Sequence, residues 1–247
     1  MSRIAFRCIL NIRSCSTVTS KFDIRFTTPA DREQLDILLK RGFHEGENLI
    51  KMLDLTYEEM KPVYDKILSN KFTINNSLCA VNNYNGEICA TIIFKLLTRG
   101  NNYKNYVDES EEEYFKRVVN GNDKLKKCFD IQEKCCEDVW KVFPNDINSI
   151  WKTFMLAVLP EYRNMKLASL IMKSREKLCP ERFPDLYGDI ADCTTLASVK
   201  IQNNCGYKNY SKVPYSYIGL PPAPDGSDSV IGNYKILPHY YENKVTE

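Results

Sequence analysis

The stretch IWKTFMLAVLPEYRNMKLASLIMKSREKL, residues 150–178, admits few folds. An apolar run of strand length stops at Pro160, a short polar turn follows, and apolar residues then return at helical spacing. A buried strand that hands over directly to a buried helix predicts an α/β (α+β) chain. In such a unit the first backbone N–H groups of the helix lack an intrahelical partner, and with the helix dipole they make a place for anionic oxygens. Arg163 and Lys166 put positive charge in that turn. The guanidinium offers a fork to two oxygens and the ammonium a point charge, while the small Ala168 and Ser169 leave room at the helix start. The same residues also suit a turn that merely faces water.

The rest of the chain supplies elements to surround this unit. FDIRFTT (22–28) alternates as a half-buried strand, and Pro29-Ala30-Asp31 opens a helix with Leu35, Leu38 and Leu39 on one face. Residues 55–69 read as a helix with Thr56 as N-cap and Glu59 completing a capping box. Residues 77–97 hold two β-rich runs around Asn85-Gly86, a hairpin. The acids from Asp108 to Glu113 suit a helix N-terminus, and helix is expected to continue over 122–143. A strand at 185–193, a helix at 194–207 closed by Gly206, and strands around a long loop at 219–229 complete the order. No internal repeat or sharp linker interrupts it. One domain over 21–247 is expected, with a helical insertion at about 100–150.

Composition narrows the function. With 247 residues, 43% of them apolar, the chain can bury a sizeable core. A net charge of +2 and the absence of known motifs argue against nucleic acid. No apolar run reaches the roughly 18 residues that a membrane-spanning helix needs. Ten cysteines are scattered without a C-x-x-C pair and there are only two histidines, so no structural metal site is expected. The cysteines read as reduced core filler in a cytoplasmic protein. Residues 1–20 are basic, acid-free and rich in Ser, Thr and Cys, which fits a mitochondrial transit segment and a loosely packed leader equally.

The residues LAVLPEYRNMKLASLIM resemble the acyl-CoA-binding motif of the GNAT superfamily of N-acetyltransferases, with Val158, Pro160, Arg163 and Ala168 matching. Lys166 stands where that pattern usually has its first glycine, and lysine resists the positive φ that glycine accepts. DCTTLASVKIQNNCGY (192–207) and FHEGENL (43–49) resemble segments of the invertebrate arylalkylamine, or dopamine, N-acetyltransferases. Glu47 falls on the catalytic glutamate of that pattern, while Gly46 and Asn48 replace its neighbours.

The resemblance implies a mixed, mostly antiparallel sheet with splayed central strands and helices on both faces. It implies transfer of acetyl from acetyl-CoA to a small primary amine of the arylalkylamine class, by a monomer or weak dimer. Leu156, Ala157 and Val158 would line the pantetheine arm. Arg163, Asn164, Met165, Lys166, Leu167, Ala168 and Ser169 would hold the pyrophosphate. Glu47 is the implied base, with His44 as the alternative, and Thr194 and Ser198 are the implied proton-handling hydroxyls. Each also has an ordinary reading: an exposed acid at a helix end, a cap, a back-bonded serine. HEGE lacks the second histidine of a zinc-protease motif. Gln202 stands where many members carry a tyrosine acid. The amine pocket is expected among the aromatics of 207–217 and the helices of 35–68. A non-catalytic acyl-CoA-binding or interaction module, and a polyamine or lysine acetyltransferase, are the competing readings.

Overall fold

The computed structural model describes residues 21–99 and 109–245. The leader 1–20, Asp108 and the side chains of Glu109, Glu111 and Glu112 lie outside the described residues.

β1 (Phe22–Phe26) leads through a 3-10 turn at Pro29–Asp31 into α1 (Arg32–Leu38), which runs on as a π-turn, Leu39–His44. α2 (Asn48–Met52), α3 (Tyr57–Ser69) and α4 (Lys71–Asn76) precede the hairpin of β2 (Leu78–Asn82) and β3 (Ile88–Thr98). α5 (Glu109–Asn120) and α6 (Asp123–Cys136) form the helical insertion. β4 (Ser149–Val158), α7 (Leu167–Arg182), β5 (Gly188–Cys193), α8 (Leu196–Asn204), β6 (Lys208–Pro214), β7 (Ser229–Ile236) and α9 (Pro238–Val245) follow. The seven strands lie in the order β1-β2-β3-β4-β5-β7-β6. Among the described strands, only β4 and β5 pair in parallel.

The period-two alternation of the strands sorts side chains to two cores. Ala90, Ile92, Phe94 and Leu96 of β3 pack with Leu167, Ile171 and Met172 of α7 on one face. Ile93 of β3 and Met155 and Ala157 of β4 pack on the other with Leu35, Leu49, Val63 and Ile131 of α1, α2, α3 and α6. Helices therefore cover both faces. All described cysteines are free, and all but Cys136 are buried. No described helix is long and apolar enough to cross a membrane.

The local signals work as their chemistry requires. Gly86 turns the hairpin at φ +74°. Thr56 Oγ1 accepts from the N–H of Glu59 at 3.2 Å, and Glu59 Oε2 accepts from the N–H of Thr56 at 2.8 Å. Thr56→Ala is expected to lower stability by about 1 kcal/mol in a denaturant titration, the usual loss for an N-cap.

The expected helix at 122–143 is shorter. Its buried positions, Leu125, Cys128, Ile131 and Cys135, end with α6, and a 3-10 turn follows at Val139–Val142. Pro144 disfavours helical backbone at the residue before it, and Phe143 is extended (φ −107°, ψ 143°). α4 and α9 lie outside the elements expected from the sequence, although Asn70 caps the first and Pro238 occupies the first position of the second.

Candidate active site

β4 parts from β5 halfway along its length. The parallel ladder runs from Ile150–Gly188 to Thr153–Ala191 and stops. The ladder to β3 continues to Val158 opposite Ala90. Between Ile93 and Phe94 the register shifts, leaving Phe154 as the extra residue of a β-bulge. The bulge reverses the parity of β4. Trp151 faces the α7 core, and so, beyond the bulge, do Leu156 and Val158. Leu159 donates its N–H to Cys89 O on the β3 side at 2.9 Å. Backbone groups alternate along a strand, so those of Leu156 and Val158 turn toward the gap that β5 leaves open. The π-turn rests on the end of this strand, where a Cβ on Gly42 would lie 3.1 Å from the Val158 carbonyl.

The turn after β4 keeps the backbone path that a glycine would take. Lys166 lies in the left-handed region (φ 63°, ψ 17°), as does Asn164 (φ 63°). For a non-glycine residue this costs on the order of 1 kcal/mol. Thus Lys166 does not divert the turn. α7 begins at Leu167 with no side-chain cap. Leu170 is the first residue to donate back, to Lys166 O at 2.9 Å, which leaves the amides of Leu167, Ala168 and Ser169 for an external acceptor. Arg163, Asn164 and Lys166 are exposed, Met165, Ala168 and Ser169 half-buried, and Leu167 buried. Arg163 Nη2 donates to Gly42 O at 3.2 Å, which anchors one arm of the guanidinium on the π-turn.

Glu47 is buried, 7% exposed, as the N-cap of α2. Its Oε2 accepts from the N–H of Ile50 at 2.7 Å, and its Oε1 has no partner among the described residues. Burial pushes its carboxyl above the ordinary range; the Thr194 side chain and the amides of Ile50 and Leu49 pull against that shift. A pocket places Glu47 on the same wall space as Phe154 and Met155 of the bulge, with Phe43, Met60 and Gln132 around it. His44 points elsewhere: its Nδ1 lies 3.2 Å from Tyr64 Oη and its ring packs edge-on against Tyr57 and Tyr64. Burial lowers its pKa below the ordinary histidine value, which favours the neutral ring.

Thr194 and Ser198 are separated by the cap of α8. Thr195, not Thr194, is the N-cap, and Ser198 completes its capping box, donating to Thr195 O at 2.8 Å. Thr194 precedes the helix, so the two hydroxyls do not share a helix face. Thr194 is buried beside Glu47, and its carbonyl accepts from Asn48 Nδ2 at 2.8 Å. Gln202 is buried and cannot act as an acid. Tyr207 donates to the buried Asp189 and is committed to packing.

The comparisons with known proteins rest on structure. No protein-family model matches this chain and no curated protein matches it by sequence. Arylalkylamine N-acetyltransferase 2 from Aedes aegypti aligns with it at TM-score 0.68 and 17% identity, over 87% of this chain and 99% of that one. An agmatine N-acetyltransferase aligns at TM-score 0.66 and 17% identity, over 88% and 100%. The polyamine N-acetyltransferase of Drosophila melanogaster, described as forming N-acetylagmatine, gives 0.63 and 17%, over 87% and 100%.

This chain has the GNAT fold. Within it, the pocket beside Glu47 differs from the one expected from sequence. The helices of 35–68 do contribute, through Ile50, Met60 and Val63, but the aromatics of 207–217 do not line it. Tyr215 instead donates to the Thr194 carbonyl. The other wall comes from Cys128, Phe129 and Gln132 of α6, inside the helical insertion of the GNAT sheet. Phe154 carried no sequence signal, because a bulge is defined by the pairing of two strands rather than by either strand alone.

Proposed function

We propose that this chain is an acetyl-CoA-dependent N-acetyltransferase acting on the primary amine of a small arylalkylamine. The observation that carries the reading is a small cavity, about 20 Å³, in which the buried Glu47 meets Phe154 and Met155 of the bulged strand at the point where β4 leaves β5; an amine enters it as the surrounding side chains part. The pantetheine arm, itself peptide-like, lies along Leu156, Ala157 and Val158 and hydrogen-bonds to the backbone that β5 leaves unpaired. The pyrophosphate sits on the amides of Leu167, Ala168 and Ser169, beside Arg163, Asn164, Met165 and Lys166. The thioester then falls near the bulge, within reach of an amine held against Glu47.

An alkylamine resembles lysine, with a pKa near 10, so at pH 7 on the order of one molecule in a thousand is the free base. Removing its proton costs about 4 kcal/mol. A carboxylate whose pKa is raised by burial is a better proton acceptor than an exposed one, and Glu47 takes the proton directly or through a water. Its Oε1, without a partner among the described residues, is the atom left to do so. Thr194 lies beside the carboxylate and relays the proton. Ser198 serves by holding the start of α8. The CoA thiol, with an ordinary pKa of about 8.5, leaves as thiolate without a strong acid, which fits Gln202 in place of a tyrosine.

Apart from Glu47, the pocket is lined by Phe43, Ile50, Met60, Val63, Phe129 and their apolar neighbours, with Gln132 as the polar exception. Among the described residues, no second carboxylate lines it to receive a distal cation. That favours an aromatic monoamine over agmatine or a polyamine, which would bury an unpaired charge.

A thiol-release assay over a panel of arylalkylamines, agmatine and spermidine tests the reading. Turnover is expected with aromatic monoamines and weak or absent with the dications; no turnover with any amine would refute it. Replacing both Arg163 and Lys166 by Ala is expected to weaken acetyl-CoA binding at least tenfold by isothermal titration, since both charges face the diphosphate. An unchanged affinity would remove the phosphate assignment.

A further inference from the structure

The loop GLPPAPDGSDS (219–229) returns to the candidate site from the far end of the chain. Asn48, the residue after Glu47, is 5% exposed. Its Nδ2 lies 2.8 Å from Thr194 O, 3.0 Å from Asp225 Oδ1 and 2.8 Å from Ser227 Oγ. Two N–H donors are thus shared among three acceptors. Ser227 Oγ lies 2.6 Å from Asp225 Oδ1 and 3.1 Å from Thr194 O, and its hydroxyl proton serves one of these. Asp225 also accepts from the N–H of Ser227 at 3.0 Å and, through Oδ2, from the N–H of Leu196 at 2.9 Å. Every bond in this group joins the segment carrying Glu47, the segment carrying Thr194, or the loop.

We infer that Asn48, Asp225 and Ser227 form a positioning clamp that fixes Glu47 against Thr194. This deepens the acetyltransferase reading and rests on it. α2 has five residues, too few to hold its own orientation. The N-cap carboxylate can face the bulge only if the first residue of that helix is anchored, and the Asn48 amide is that anchor. Asp225 acts through Asn48 and touches neither amine nor thioester. Its own carboxyl is held down to about 2 by bonds to Ser227, Leu196 and Asn48 that outweigh its partial burial, so it stays an ionised acceptor across the working pH range.

Asn48→Ala and Asp225→Ala are each expected to lower kcat roughly tenfold, with acetyl-CoA affinity unchanged, as for loss of a hydrogen bond to a charged group. The double variant should be no worse than the poorer single one, because both remove one clamp. The acid limb of the pH–rate profile should move to lower pH in both, as water reaches Glu47 and relieves its burial. A merely structural loop would leave that limb in place.

Asn48→Pro separates the side-chain amide from the backbone. Proline fits the first helical position, and Glu47 already has the extended backbone (φ −84°, ψ 128°) that proline demands of its predecessor. The variant keeps the helix start but lacks the amide, so it should stay as slow as Asn48→Ala; a recovered kcat would overturn the clamp. Hydrogen exchange over residues 47–53 reads the clamp without any turnover and should quicken in Asn48→Ala and Asp225→Ala alike. Wild-type turnover combined with independent, multiplying effects of the two variants would overturn the clamp. So would exchange over 47–53 that Asp225→Ala leaves unchanged. A wild-type chain that acetylates no amine would instead refute the acetyltransferase reading.

Discussion

Glu47→Gln is expected to lower kcat by 10²–10⁴-fold, the usual loss for a positioned general base, and to raise the stability of the protein at the same time. The catalytic half follows from the proton: glutamine keeps the shape and removes the acceptor. Its amide oxygen can still take the bond from the Ile50 N–H, so α2 retains its cap. The stability half follows from linkage. Burial raises the Glu47 pKa in the folded chain above the unfolded value of about 4.3. Between those two values the folded state binds more protons than the unfolded one, so stability falls as pH rises. The contribution of the protonated carboxyl is fully present below the unfolded pKa and is lost as pH climbs through the raised one. Glutamine cannot ionise, so the variant should melt above the parent at pH 8, with the difference shrinking toward pH 5. Thiol release measured beside thermal melts at both pH values checks the two halves. A variant that turns over within a few-fold of the parent would show that Glu47 is not the base.

Much of this architecture is legible in the sequence where one element carries its own signal. The handover from β4 to α7 is written in the apolar run, Pro160 and the helical spacing after it, and it leads to the amides at 167–169. The Thr56 cap and the Asn85-Gly86 hairpin are equally local. Glu47 was found only through resemblance. One acid among 32 carries no mark of its burial in the chain, because much of the wall around it comes from Cys128, Phe129 and Phe154, which are distant in sequence. The splay is less visible still. Nothing within Leu156–Val158 states that β5 stops pairing at Ala191. Asp225 read as a loop residue in a Pro- and Gly-rich stretch, and its partner lies 177 positions earlier. Thr194 and Ser198 show the opposite error. Both fall in the helix expected over 194–207, but the cap lies on Thr195, and a shift of this size at a helix start leaves Thr194 outside it.

Asp189→Asn should lower the melting temperature by roughly 10 °C, because the Asp189 carboxylate is what neutralises a guanidinium with no route to water. Arg175 of α7 is 1% exposed and Asp189 of β5 fully buried. The two pair directly, Tyr207 Oη bonds to both, and Arg175 Nη1 donates to Thr153 Oγ1 at 2.8 Å. Burial draws the Arg175 pKa down to about 10, still cationic at neutral pH, and pushes the Asp189 carboxyl well up; the direct pairing and the bonds to Thr153 and Tyr207 are what hold the pair charged. Removing one partner of a buried pair costs about 3–5 kcal/mol, and for a domain of this size each kcal/mol moves the midpoint by about 2–4 °C. Replacing both partners, Arg175→Met with Asp189→Leu, should restore most of the loss, since no charge is then left without an answer. The position of the pair ties this to function. Thr153 and Ala191 form the last rung before β4 and β5 part, so the network joins α7, β4 and β5 at the base of the gap. The single variant should therefore also bind acetyl-CoA more weakly, while leaving the pocket residues around Glu47 in place. An Asp189→Asn chain that melts within about 2 °C of the parent would mean that Arg175 finds its compensation elsewhere.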